Sequence, residues 1–321
     1  MEMDMKSKIV GAVGLVLAAL LPQAAAADYP DKPITLIVPW AAGGSTDQTA
    51  RVLAKAAEAS LGQTIVVINQ PGASTSIGMA ALAKAQPDGY TIGTLSSTSY
   101  LAALQGRQLP FDPINAFSYI SYYGDNLIGI AVKADARWKT IDDLIAEGKA
   151  KPGAIKYGTA GVGTTQHLTS EALQFATKAK FVHVPQQGSA ASVPALLGGH
   201  VDFIMETSVW APFIESKEVR LLAVTTPQRS KSYPDVPSLS EKGLKSLRSV
   251  QAIIGPAGMP EDVRMKLETA FRKAMSDKTF QDTMERLGMV PLDLPGAEVK
   301  KLVEGEYASA REILQDIGKA K

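Results

Sequence analysis

No cysteine occurs anywhere in the 321 residues. That absence removes disulfides, thiolate metal ligands and a nucleophilic thiol together. It also removes the lipidated cysteine by which an exported bacterial protein can be tethered to a membrane. Histidine is scarce, limited to His167, His183 and His200, and no two are spaced as a helical metal pair. Neither a metal nor any other cofactor is therefore expected. An excess of charge of one sign is missing too: 33 Lys and Arg stand against 32 Asp and Glu. No basic stripe argues for nucleic acid and no acidic tail for a cation sponge. A hydrophobic run of membrane-spanning length is also lacking, since Ile9 to Leu21 covers only about a dozen residues. With Lys6 and Lys8 before it and Ala25-Ala26-Ala27 after it, that run reads as a signal peptide, residues 1–27, cut after Ala27. Export without a tether fits the periplasm of a two-membrane bacterium. Roughly 300 residues remain, long for one α/β lobe and sufficient for two.

What is present is an alternation of strand-like and helix-like segments, which favours parallel sheets flanked by helices. Ile34 to Val38 is a short aliphatic run of the kind covered on both faces, and Pro39 ends it. Gly43-Gly44 then turns the chain, and Ser45, Thr46 or Asp47 can cap a helix running to Leu61, with Gly62 as its stop. A helix N-terminus opening at a strand end is a ready anion site, because free N–H groups and the dipole both point there. The same layout recurs at the strand Ile155 to Gly158, the turn Gly161-Val162-Gly163-Thr164-Thr165 and the helix Gln166 to Thr177. Two such turns, one per lobe, can face each other across a cleft. Between them, Thr91 to Leu95 reads as a strand that Ser96-Ser97-Thr98-Ser99 continues, a polar cluster at the edge where open α/β sheets bind ligands. The first crossing between lobes is placed at Gly124-Asp125-Asn126 and the return at Ser249 to Ile254, with hinge positions near Leu127 and Ile253. Lobe 1 is then 28–126 plus 250–321 and lobe 2 is 127–249. Glu206-Thr207-Ser208 reads as a loop, and the chain beyond Pro260 as packing helices.

Catalytic signatures are weak. Ser45, Ser97 and Thr164 have no G-x-S-x-G frame and no assignable base, and the Gly161-Val162-Gly163 turn lacks the lysine of a phosphate-binding loop. Serines and threonines at loop ends without a base look like hydrogen-bond donors to a ligand, so binding outweighs catalysis. Asp47 and Asp202 are the carboxylates near the proposed cleft. Each has a plain alternative role, Asp47 as a helix cap and Asp202 as a strand-end partner of a backbone N–H. His167, in the first turn of its helix, is a cap, a surface residue or a ligand donor. Trp40 is a stacking platform or a packed rim residue, and together with Tyr100 it favours a ligand with a flat apolar portion.

The ordered pieces Tyr29-Pro30-Asp31-Lys32-Pro33-Ile34, Pro39 to Asp47 with Arg51, Asn69-Gln70-Pro71-Gly72-Ala73, Pro87-Asp88-Gly89-Tyr90-Thr91, Gly161 to His167 and Leu197 to Asp202 resemble the tripartite tricarboxylate transporter substrate-binding proteins, the TctC or Bug family. The resemblance spans essentially the whole mature chain. It implies a periplasmic binding protein of the type II-like Venus-flytrap class, two doubly wound α/β lobes with crossover strands, and no enzyme. The cargo implied is a small organic carboxylate, a di- or tricarboxylate or an aromatic acid. Its partner is a membrane transporter of one large and one small subunit, and the receptor is expected as a monomer. A ligand-sensing receptor for a signalling system is the alternative, with a secreted serine hydrolase behind it. Carried over by resemblance, Trp40, Ala42, Gly44, Ser45, Thr46 and Asp47 bind from one lobe. Gly161, Gly163, Thr164, Thr165 and Asp202 bind from the other, with Ser97 and Thr98 near the middle, and His167 is added from its place beside the turn as a ligand donor. The family turn at Asn69 to Ala73 commonly continues with further glycines, and here it reads Ser74-Thr75-Ser76.

Overall fold

Short β-branched and aliphatic runs build two separate sheets in the computed structural model, which describes residues 29–289 and 291–318. The signal-peptide reading of residues 1–27 lies outside the described residues. The first sheet contains β1 (Ile34–Val38), β2 (Ile65–Asn69), β3 (Thr91–Thr94), β4 (Phe117–Asp125), β10 (Val250–Pro256) and β11 (Leu294–Pro295), in the order β11-β4-β10-β3-β1-β2. The second contains β5 (Ile128–Lys133), β6 (Ile155–Thr159), β7 (Phe181–Pro185), β8 (Phe203–Thr207) and β9 (Val219–Val224), in the order β7-β6-β8-β5-β9. In each sheet a parallel set, β2-β1-β3 and β7-β6-β8, is completed by an antiparallel strand that comes from the crossing. The parallel sets put several strand C-termini, and the helices that follow them, on one edge.

Those helices are α1 (Ser45–Leu61), α2 (Ser76–Ala83), α3 (Ser97–Leu104), α4 (Ile141–Ala150), α5 (Thr165–Thr177), α6 (Ser192–Leu197), α7 (Ala211–Glu215), α8 (Glu261–Ala274), α9 (Lys278–Arg286) and α10 (Gly296–Asp316). Local chemistry sets their ends. Gly62 takes a left-handed φ of 68° to stop α1, and Thr140 with Asp143 forms a reciprocal capping box on α4. One face of the first sheet is sealed by α1, α8 and α9 through Leu53, Leu267, Phe271 and Phe280. The other is sealed by α2, α3 and α10, and Leu168 and Ala172 of α5 join that cluster from the second sheet's side. The lobes therefore share apolar packing as well as two chain crossings.

Three sequence expectations are corrected. Ser96 to Ser99 does not prolong β3; α3 starts there, because Tyr100, Leu101 and Leu104 are spaced to enter the core as a helix face. Glu206 and Thr207 are not loop but the end of β8, paired with Gly129 and Ile128 and fully inside. Ile253 is no hinge, since it lies in mid-strand between Thr94 and Ser121. The crossings touch one step earlier, where Asn126 donates its backbone N–H to Ser249 O at 2.9 Å and its side-chain amide to Ser249 Oγ at 3.1 Å.

Gly78 lets α2 lie directly on the end of β1. An added Cβ would stand 2.7 Å from Gln70 O and 3.0 Å from Pro39 Cα, both backbone atoms that cannot turn aside. Gly78→Ala is expected to destabilise the protein by about 1–3 kcal/mol through overpacking, measured by denaturant unfolding.

Candidate functional site

The site is assembled from three strand-to-helix turns. After β1, Gly43 takes φ 86° and Gly44 caps α1 with no side chain occupying the free N–H groups. Asp47 holds this turn from behind. Its Oδ2 accepts the Gly43 N–H at 2.9 Å, and its Oδ1 accepts the Asn69 amide at 2.8 Å and pairs with Arg51 at 3.0 Å. Asn69 also donates to Trp40 O at 3.0 Å, so one carboxylate and one amide fix the chain from Trp40 to Gly44. After β6, Gly161 and Gly163 take φ 139° and 78°, and Thr164 caps α5 by accepting the His167 N–H at 3.3 Å. After β3, Ser96 precedes α3, again with no side-chain cap.

The first turns of these helices converge on a cavity of about 30 Å³, room for the centres of a few waters or for one carboxylate-sized group. Gly44, Ser45 and Thr46 line it from α1, Ser96, Ser97 and Thr98 from α3, and Thr165 and Gln166 from α5. Trp40, Asn126, Ser189, Thr207, Ser249 and Gln251 complete the wall, and no lining side chain is acidic, basic or a histidine. Asn126 Oδ1 and Thr207 Oγ1 are buried there without a hydrogen-bond partner. An outer chamber of about 470 Å³ adjoins it, sharing Trp40, Ala41 and Gly188. Among the lining residues, charge enters only as helix dipoles and N–H or O–H donors, a field suited to an anion.

Residues 49–319 match the family described as the tripartite tricarboxylate transporter family receptor. The chain belongs to that family. Across 308 residues it is 34% identical to the UPF0065 protein in the gbd 5′ region of Cupriavidus necator, covering 96% of this chain and 94% of that one. The solved periplasmic binding protein BugD superposes with a TM-score of 0.85 at 30% identity, covering 91% of this chain and 100% of that one. A protein from R. palustris, solved with adipate, superposes with a TM-score of 0.83 at 26% identity, covering 91% and 99%. The fold is thus that of the two-lobed periplasmic binding proteins, and the family is one of substrate receptors.

Within this TctC-type receptor, the residues named from the sequence fall into three groups. Trp40, Gly44, Ser45, Thr46, Ser97, Thr98 and Thr165 line the inner cavity. Gly161 and Thr164 line the outer chamber. Ala42, Asp47, Gly163, His167 and Asp202 line neither. Ala41, one residue earlier than Ala42, reaches the wall. Asp47 is committed to its own turn, as described above. The space beside Gly163 is taken by Gln105 and Arg107. His167 turns back: its Nδ1 accepts the Gly163 N–H at 3.2 Å and its ring stacks on His183 at 4.2 Å. Asp202 sits before β8, at the edge of the sheet away from the cavity, where it accepts the Lys156 N–H at 2.8 Å. Tyr100 is buried in the core against Tyr307 and faces no cavity.

Sequence reading did not name Asn126, Gln166, Ser189, Thr207, Ser249 and Gln251 as lining residues, while Ser96 belongs to the polar cluster it placed at the ligand-binding edge. Asn126 and Ser249 lie at the predicted crossings, so proximity to a hinge was the available signal. The turn Ala73-Ser74-Thr75, where the family commonly has more glycine, holds positive φ at all three residues, 46°, 52° and 71°. Ser74 compensates by donating to Val162 O across the cleft at 2.9 Å, and Thr75 Oγ1 accepts from Ser96 at 3.0 Å.

Beneath the cavity lies Glu206, fully buried. Burial is the main cause that lifts its carboxyl to about 7, opposed by hydrogen bonds from Ser189, Ser192, Thr207 and Gln166. For Asp47, burial works upward, but Arg51, the Gly43 N–H and Asn69 outweigh it and hold the carboxyl below its usual range.

These two acids carry opposite pH signatures. Glu206 binds its proton more tightly folded than unfolded, so stability declines as pH rises from the unfolded value, about 4.3, through about 7. The full effect is on the order of 3 kcal/mol. Glu206→Gln is expected to flatten that decline in denaturant midpoints taken between pH 5 and pH 8. Asp47→Asn is expected to destabilise at neutral pH, with the difference from the parent shrinking as pH falls through the folded Asp47 value.

Proposed function

We propose that this receptor works in the periplasm, after cleavage behind Ala27, and captures a small organic carboxylate for a tripartite tricarboxylate-type membrane transporter with one large and one small subunit. It acts as a monomer without catalysis, with residues 28–126 plus 250–321 as one lobe and 127–249 as the other. The observation that carries the reading is the convergence of three helix N-termini on a cavity without a cation. A carboxylate there replaces water on N–H and O–H groups of Ser45, Thr46, Ser97, Thr98, Thr165 and Gln166. Each dipole adds about 0.3–1 kcal/mol, and the charge-assisted hydrogen bonds add more.

The inner cavity fits one carboxylate head, and the outer chamber beyond the Trp40, Ala41 and Gly188 neck fits the remainder of the acid. The outer walls combine Pro39, Trp40, Pro71 and Val162 with Gln186 and Gln187, a lining that suits aliphatic or aromatic carbon with polar substituents. The adipate held by the R. palustris relative supports a carboxylate cargo here. A nucleophilic role for Ser45 finds no support, because no histidine, carboxylate or lysine lines the cavity with it.

A thermal-shift screen of the mature chain against mono-, di- and tricarboxylates, aromatic acids and amino acids tests this. A ligand at a hundredfold its Kd should add about 2.7 kcal/mol of stability. Hits confined to organic acids are expected, and amino acids binding instead would overturn the reading. Gly44 has Ser189 Cβ 4.0 Å from where its own Cβ would stand, so Gly44→Phe should fill the cavity and cost at least a hundredfold in affinity by calorimetry.

A further inference from the structure

The anion cavity has a second carboxylate built into its floor, and the two compete for the same donors. Glu206 is the last inward side chain but one of β8, and it has no solvent exposure. Its Oε1 accepts the Ser192 hydroxyl at 2.8 Å, with the Ser189 hydroxyl also directed to it. Its Oε2 accepts the Thr207 N–H at 3.0 Å and the Gln166 side-chain amide at 3.4 Å. Gln166, Ser189 and Thr207 are at the same time walls of the cavity. The other buried acids differ: Asp47 is paired with Arg51, and Glu268 with Arg264 and Arg272. No ion pair is formed by Glu206 among the described residues.

We propose that Glu206 is a positioning residue that makes ligand capture proton-coupled: the receptor takes up one proton on Glu206 for each carboxylate it closes on. This rests on the carboxylate reading of the site. As an anion, Glu206 draws the donors of Gln166 and Ser189 away from the cavity and sets a negative charge beneath the incoming one. Protonated, it becomes a donor itself. Ser189 and Ser192 then accept from it or turn away, and the Gln166 and Ser189 donors are released toward the ligand. In a buried site two like charges that share the same donors disfavour each other's ionised form, so binding and protonation reinforce each other. The geometry is what makes the coupling specific, and the raised proton affinity of the empty site agrees with it.

Other titratable groups on the elements packed against β8 are engaged elsewhere. Tyr157 on β6 points to Glu171, and His167 and Glu171 on α5 face each other at 4.0 Å. Lys156 on β6 is exposed, and Lys133 on β5 pairs with Asp135. Across the cleft, Asp47 is turned into its own loop.

The test is calorimetry on the mature protein with benzoate, adipate and malate as probes, in two buffers of different ionisation heat, between about pH 6.5 and 9. For every probe that binds, uptake approaching one proton per ligand is expected at the alkaline end. Affinity should fall close to tenfold per pH unit above the Glu206 value. Glu206→Gln, whose amide can occupy the place of the protonated acid, should bind with no proton uptake and a flat pH profile. Binding by the parent with no proton uptake overturns the proposal even if the variant does not fold, and leaves the carboxylate reading standing. An equal pH slope in parent and Glu206→Gln also overturns it. If none of the three acids binds either protein, the carboxylate reading falls and the coupling falls with it.

Discussion

Holding an anion in a dry cavity without a cation requires backbone dipoles to be aimed at one point and kept there. Everything around the cleft serves that constraint. Parallel β-α units deliver the helix N-termini to the same sheet edge, and the two crossings lock the sheets side by side through Asn126 and Ser249. Asp47 and Asn69 brace the Trp40–Gly44 turn from outside the cavity, while Thr164 and His167 brace the Gly161–Thr165 turn from within their own helix. Asp47 and His167 therefore act on loops. The polar part of the cavity surface is left to glycines, hydroxyls and amides.

That division of labour has an electrostatic logic. A cation in the wall would hold an acid strongly but would also demand a charge when the site is empty. Dipoles and neutral donors carry a smaller standing cost and can be satisfied by water between ligands. Glu206 is the exception, a buried acid under a site for acids, tolerable because four donors surround it and because its proton can come and go. The same donors serve floor and ligand, which ties the charge state of one to the occupancy of the other.

The shared packing between lobes bears on motion. Leu168 and Ala172 of α5 lie in a cluster built mainly by the first sheet, and Ser74 reaches Val162 across the outer rim. The inner cavity between the two sheets is small, about 30 Å³. Any relative motion of the two sheets would have to break the Ser74 contact and disturb the packing of α5 on that cluster. The left-handed run at Ala73 to Thr75 is held by those cross-cleft and Ser96 contacts, which a glycine turn would not need.

Local signals carried far in this chain. Aliphatic runs ended by proline or glycine located β1, and Gly62 stopped α1 where its left-handed backbone predicts. The doubled strand-turn-helix pattern found two of the three converging helix starts. The third was misread because Ser96 to Ser99 is polar and short, and only its burial beside Tyr100 and Leu101 makes it helix. Asp202 and His167 line neither chamber for a related reason. A sequence shows that a residue is near a loop, but not which edge of the sheet that loop occupies or which way the ring turns. By itself, then, the sequence determined the α/β class, the two-sheet plan, the family and the glycine turns, because these follow from periodicity and backbone preference over short spans. The tertiary structure alone decided which polar groups meet in the cavity, since Asn126, Gln166, Ser189, Thr207, Ser249 and Gln251 come together only through long-range strand pairing. It also decided that Glu206 lies beneath them, because burial of a charge depends on the whole packed fold and not on its neighbours in the chain.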